Sequence, residues 1–154
     1  MTGGVESGFV ESGLAWLGIY GAFAMSAVGS MIGCTIAGQA ACGALLETES
    51  GHGRMIGAAA MPASQTIYGL VVMLSLNRHV TAENAPAIFA VGTLAGLGLM
   101  ISAIHQGMCC ASAIAVSKSK SEIFGLSITP AAFVEGFAVF TFAFALVLAS
   151  QIGR

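Results

Sequence analysis

Four apolar stretches run along the chain, separated by three short polar breaks. The first extends from about Leu14 to Leu46, the second from about Met55 to Leu76, the third from about Pro86 to Val116 and the fourth from about Ile123 to Ile152. A membrane-spanning helix needs ~20 consecutive apolar residues, and each stretch provides them. Barrel strands are shorter and alternate in polarity, and open strands leave backbone groups unsatisfied in lipid, so the pattern predicts helices. The first, third and fourth stretches exceed the hydrocarbon thickness and are expected to tilt or project beyond it. The breaks at 47–54, 77–84 and 117–122 are short, which predicts antiparallel neighbours. The predicted organisation is an N-terminal tail over 1–13, a first helical hairpin over 14–84 and a second over 85–154.

The two hairpins repeat one another. Ser26-Ala27-Val28 aligns with Ser102-Ala103-Ile104 at an offset of 76, which also pairs Cys34 with Cys110. Met55-Ile56-Gly57 aligns with Ile123-Phe124-Gly125 at an offset of 68, which also pairs Pro62 with Pro130. The arms of each hairpin differ. The first and third stretches hold ten glycines, at 18, 21, 29, 33, 38, 43, 92, 96, 98 and 107. The second and fourth hold four, at 57, 69, 125 and 136, and the fourth carries Phe133, Phe137, Phe140, Phe142 and Phe144. Gly29-xxx-Gly33 and Gly92-xxx-Gly96 are small-xxx-small motifs, which let helix backbones approach closely. Tightly packed first and third helices with bulky second and fourth helices suit two concentric layers, with many copies closing into a ring. An ordinary four-helix bundle with small residues at its seam fits the composition equally well.

Composition narrows the class. Of 154 residues, 56% are hydrophobic and 8% charged, with a mean hydropathy of +0.90. Soluble domains carry about 25% charge, so this chain is expected to be an integral membrane protein. The net charge of −2 includes no basic run that would engage nucleic acid. Residues 1–13 carry Glu6 and Glu11 and no basic side chain, unlike the positive start of a signal peptide, so the first stretch is expected to remain as a span. Arg54, Lys118 and Lys120 flank the first and third breaks, against Arg78 and Arg154 on the terminal side, which places the first and third loops in the cytoplasm. Cys34, Cys42, Cys109 and Cys110 lie in apolar stretches without CxxC spacing and read as small thiols buried in lipid or between helices.

There is no Asp, and six of the seven Glu fall in the breaks, the tail or a helix end. Glu135 alone lies deep, between Phe133-Val134 and Gly136-Phe137. A charge at the bilayer centre costs roughly 2.5–3.5 kcal/mol on insertion scales, which makes such a residue a functional site by default. Gln65, next to Ser64 and one turn from Tyr68, and Gln106 in the third stretch lie at similar depth. Pro62 lacks the N–H of a helix bond, which is expected to free carbonyls near Ala58 to Met61. One carboxylate, two amides, a hydroxyl and a carbonyl form an all-oxygen shell suited to a small, hard, singly charged cation. One carboxylate is too few for a good calcium site. His105 adjoins Gln106 but points about 100° away around the helix, as a packing or interfacial histidine would.

These residues carry a resemblance. Met61-Pro62-Ala63-Ser64-Gln65-Thr66-Ile67-Tyr68-Gly69 is similar to the Leu-Pro-Gly-Thr-Gln-x-x-Tyr-Gly signature of the membrane-rotor proteolipid (c or K subunit) of V-type ATPases, in its sodium-transporting bacterial members. Phe133-Val134-Glu135 resembles their fourth-helix carboxylate motif, and His105-Gln106-Gly107 their Ala-Gln-Gly. The resemblance covers all four helices. It implies an all-α protein of four transmembrane helices in two tandem hairpins, assembled as a homo-oligomeric ring in a bacterial cell membrane. It places the Na⁺ ligands on Glu135, Gln65, Gln106, the Ser64 hydroxyl and the Met61 carbonyl, with Tyr68 bonded to the carboxylate. The implied partners are a stator subunit bearing a membrane arginine, a central-stalk subunit at the cytoplasmic loops, and lipid. ATP is hydrolysed elsewhere, and no residue of this chain is catalytic. Gly136-Phe137 departs from the family's Thr-Tyr pair after the carboxylate. A ring coupled to H⁺, or a small four-helix proton-coupled antiporter, are the other readings.

Overall fold

The computed structural model describes residues 3–153, with four helices long and apolar enough to cross a membrane. The first span is a continuous helix, α1 (Gly3–Leu45). The second is α2 (His52–Ala60), a 3₁₀ turn over Met61–Ala63, and α3 (Ser64–Leu76). The third is α4 (Ala85–Ser119). The fourth enters through a 3₁₀ turn over Ser121–Ile123 and the single turn α5 (Phe124–Ser127), then runs as α6 (Thr129–Gln151). Arg154, counted above on the terminal side, lies outside the described residues.

Helix α1 begins well before the apolar stretch, so residues 3–13 of the expected tail are helical. No proline interrupts them, and extending an existing helix costs far less than nucleating one. At 1.5 Å per residue α1 is about 65 Å long, twice the ~30 Å of a hydrocarbon core.

The glycines explain the seam. Gly18, Gly29, Gly33, Gly92, Gly96 and Gly107 face the opposite backbone across α1 and α4, so six of the ten form this contact. A Cβ on Gly29 would stand 2.5 Å from the Met100 Cα, and one on Gly18 would stand 2.5 Å from the Phe89 Cα. Gly38 and Gly43 instead face open space, and Gly98 faces Thr141 of α6. Gly33 sits where three spans meet, with Pro62 and the Ala103 carbonyl against it. Gly33→Leu is expected to force α1 and α4 apart at a cost above the ~1–3 kcal/mol of ordinary overpacking. In detergent it should lose the monodisperse gel-filtration peak, while Gly53→Ala, which meets open space, should keep it.

Two apolar clusters sandwich the polar middle. One gathers Ile19, Val72, Leu76, Ile88 and Ala145, and the other Met55, Cys110, Ile114 and Ala131. Each end is tied by polar contacts. Lys118 pairs with Glu47 at 2.7 Å, while Arg54 donates to the Ser121 carbonyl at 3.2 Å and covers the Phe124 ring. At the other end Arg78 donates to the Ile152 carbonyl at 2.8 Å and to the Ser75 carbonyl at 2.7 Å. Lys118 thus ties the third span to the first, while Arg54 and Arg78 tie the two ends of the second span to the fourth.

Candidate ion-binding site

Pro62 shapes the site through local pairing. The Pro62 ring carries no N–H, and the chain answers with one tight turn: the Met61 N–H bonds back to the Ala58 carbonyl, and the Ser64 N–H to the Met61 carbonyl. The carbonyls at the two ends of the expected Ala58–Met61 stretch are therefore engaged, because 3₁₀ bonds recapture what the proline releases. Met61 reaches the site through Ser64, whose hydroxyl lies 3.1 Å from the Met61 carbonyl and 3.0 Å from Glu135 Oε2. In the fourth span Pro130 occupies the first turn of α6, where a missing N–H costs nothing.

Glu135 receives donors from two neighbouring spans. On Oε2, Ser64 stands at 3.0 Å, Gln65 Nε2 at 3.0 Å and Gln106 Nε2 at 2.8 Å. On Oε1, the Tyr68 hydroxyl donates at 2.6 Å. The glutamines also bond each other, with Gln65 Nε2 donating to Gln106 Oε1 at 2.9 Å, and Gln106 Nε2 donates to the Ala131 carbonyl at 3.2 Å. Both glutamine side chains are fully buried, whereas Glu135, Ser64 and Tyr68 are half-buried. The carboxylate thus has a dry amide floor and an edge open to the outer face of the bundle. Phe133 and Phe137 flank that edge, each more than two-thirds exposed.

Of the residues expected at the site, Glu135, Gln65, Gln106, Ser64 and Tyr68 are in direct contact, with Met61 one hydroxyl away. Phe142 was not among them, yet it stacks on the Tyr68 ring with centroids 5.1 Å apart and an interplanar angle of 22°. Phe142 follows Glu135 by seven residues, two turns along the same face, and that spacing is the signal for it. His105 stays apart: its ring bonds the Ile101 carbonyl of its own helix at 2.8 Å and is exposed. All four cysteines are free, and among the described residues no three His, Cys, Asp or Glu side chains gather as a metal cluster.

The arrangement can hold either an ionised carboxylate or a small cation. A primary amide turned by 180° exchanges its oxygen and NH₂ in nearly the same envelope. Each buried glutamine can therefore present two N–H donors to a bare carboxylate or an oxygen to a cation bound beside it. The Ser64 hydroxyl can likewise donate or accept.

The family model for the C subunit of ATP synthase matches the chain twice, over residues 17–76 and 89–148, one match per hairpin. The chain is also 32% identical over 126 residues to the A-type ATP synthase K subunit of Methanocaldococcus jannaschii. That alignment takes in 80% of this chain and 57% of the relative, so the chain spans little more than half the relative's length. With four apolar helices and two copies of the family's hairpin, the chain is an integral, multi-pass membrane protein and belongs to the ATP synthase C-subunit family.

Proposed function

We propose that the chain is the ion-carrying subunit of a homo-oligomeric rotor ring in a rotary ATPase or ATP synthase, and that its ion is Na⁺. One observation carries this reading: two fully buried glutamines from different spans converge on the single deep carboxylate. A proton needs only the carboxyl group and one partner. Two amides, once turned to present their oxygens, and a hydroxyl beside the same carboxylate supply the hard oxygen ligands that a sodium ion requires.

Electrostatics then dictates the cycle. A bare carboxylate facing lipid is too costly, so Glu135 crosses the lipid-facing arc only when a cation neutralises it. Near a stator arginine the guanidinium replaces the cation as counter-charge and the ion leaves. The four donors around Glu135 stabilise the carboxylate in that interval. Tyr68, stacked on Phe142, is placed to cover the outer edge once an ion is bound. The stator and a central-stalk subunit seated on the loops bearing Glu47, Arg54 and Lys118 complete the proposed assembly.

The test is carboxyl modification. A hydrophobic carbodiimide should label Glu135 in membranes, and Na⁺ added at neutral to alkaline pH should suppress labelling in a saturable way. Labelling that follows pH alone and ignores Na⁺ would assign the same ring to H⁺.

A further inference from the structure

Behind the amide floor under Glu135 stands a buried hydroxyl that the ion site leaves unused. Among the described residues only two buried side-chain polar atoms have no hydrogen-bond partner, the Ser30 hydroxyl and Arg78 Nε. Ser30 is 6% exposed and lies inside the bundle. A helical serine can return its hydroxyl to a carbonyl one turn back, as the buried Ser26 and Ser117 do at 2.8 and 2.7 Å. Ser30 does not. Its neighbours fix its place. On α1, Ser30 follows Ser26 by four residues and precedes Gly33 by three, so the three share one helix face. Ser26 packs against Gly69 of α3, and Gly33 against Pro62. Gln65 lies between Pro62 and Gly69 on that facing span, so Ser30 and Gln65 stand level, and both are buried. Helices α1 and α6 do not pack on each other among the described residues. Ser30 is therefore on the side of Gln65 away from Glu135. At the repeat offset of 76, Ser30 also falls where the second hairpin has Gln106.

We propose that Ser30 is a positioning residue for sodium, whose hydroxyl accepts an N–H of Gln65 once that glutamine turns its oxygen toward the cation. With the carboxylate bare, Gln65 spends both N–H groups, on Gln106 Oε1 and on Glu135 Oε2, and its own oxygen accepts from Ser64. Turning the amide by 180° exchanges its oxygen and NH₂. The NH₂ then points away from Glu135, toward α1, and needs two acceptors in a dry interior. The Ser64 oxygen is one, but it is also a proposed ligand of the cation. A buried donor left without an acceptor is costly, and the unpartnered Ser30 oxygen stands level with it. The Ser30 hydrogen can then return to a carbonyl of its own helix, as those of Ser26 and Ser117 do. The hydroxyl is thus idle beside the bare carboxylate and engaged beside the loaded one, which favours sodium. This inference rests on the sodium reading and adds a residue that supports the turned amide without touching the ion.

Ser30→Ala tests it, with two readouts on the purified full-length protein. Saturation binding of ²²Na⁺ at alkaline pH should weaken by roughly three- to tenfold, the size of one buried hydrogen bond. The melting temperature in sodium-free buffer should stay the same or rise, because alanine removes a hydroxyl that has no partner in that state. A residue that merely holds the helices together would lower it. The cycle with Gln65→Ala gives the second arm: once the amide is gone, adding Ser30→Ala should weaken sodium binding no further. The inference is overturned if the unmodified protein binds Na⁺ saturably and Ser30→Ala binds it as tightly. It is also overturned if the losses of the two single variants add, or if Ser30→Ala melts lower without Na⁺. If the unmodified protein shows no saturable Na⁺ binding, the sodium reading falls and this inference with it.

Discussion

Glu135→Gln is expected to reduce ion transport by the assembled complex to background while leaving the fold and the oligomer intact. The substitution suits the site sterically and electrically. The new amide oxygen can accept from Ser64, Gln65 and Gln106 as Oε2 does, and its NH₂ can donate to the Tyr68 oxygen in place of Oε1. A neutral amide is also cheaper to hold in lipid than a carboxylate. Only the charge that would bind the proposed cation and pair with the proposed stator arginine is gone. ATP-driven ²²Na⁺ uptake into vesicles carrying the whole complex measures the loss, and gel filtration of the solubilised protein measures assembly. Transport retained in an intact oligomer would make Glu135 a structural helix contact.

The spans and the site were legible in the sequence to different depths, for physical reasons. Lipid imposes a length and an apolar composition on every crossing helix, so four spans could be read without any knowledge of packing. A lone carboxylate in such a span is conspicuous because its insertion is costly, which is why Glu135 stood out. Interhelical details carry no such signature. A glycine count cannot say which glycines face a neighbour, and helix rotation turned Gly38 and Gly43 away from the seam that Gly29 and Gly33 make. Phe142 is one of several phenylalanines in α6 and acquires a role only when α3 brings Tyr68 alongside it. Pro62 announces a missing donor, but only the folded backbone shows that a 3₁₀ turn recaptures the carbonyls of Ala58 and Met61. The expected tail over 1–13 follows from where the apolar stretch begins, and a helix once nucleated continues past that point without an apolar run.

Gln65→Ala and Gln106→Ala are expected to separate sodium affinity from proton affinity. Each glutamine is fully buried and bonded both to Glu135 and to the other glutamine. Truncation removes one amide oxygen from the proposed sodium shell and leaves a gap in a dry interior. Losing a buried polar partner costs about 1–3 kcal/mol, and ~1.4 kcal/mol is tenfold in affinity. Sodium binding should therefore weaken by roughly ten- to a hundredfold in either single variant. The double variant should show less than the sum of the two losses, because the Gln65–Gln106 bond disappears with the first truncation and cannot be lost again. Protonation needs only the carboxyl group. With sodium held more weakly and the carboxyl group intact, the pH at which H⁺ displaces Na⁺ should rise. Saturation binding of ²²Na⁺ to purified oligomers at several pH values reads both effects. Equal weakening of sodium and proton binding would mean that the glutamines hold the helices together and do not ligate the ion. Absence of saturable sodium binding to the unmodified protein, even at alkaline pH, would transfer the site to protons.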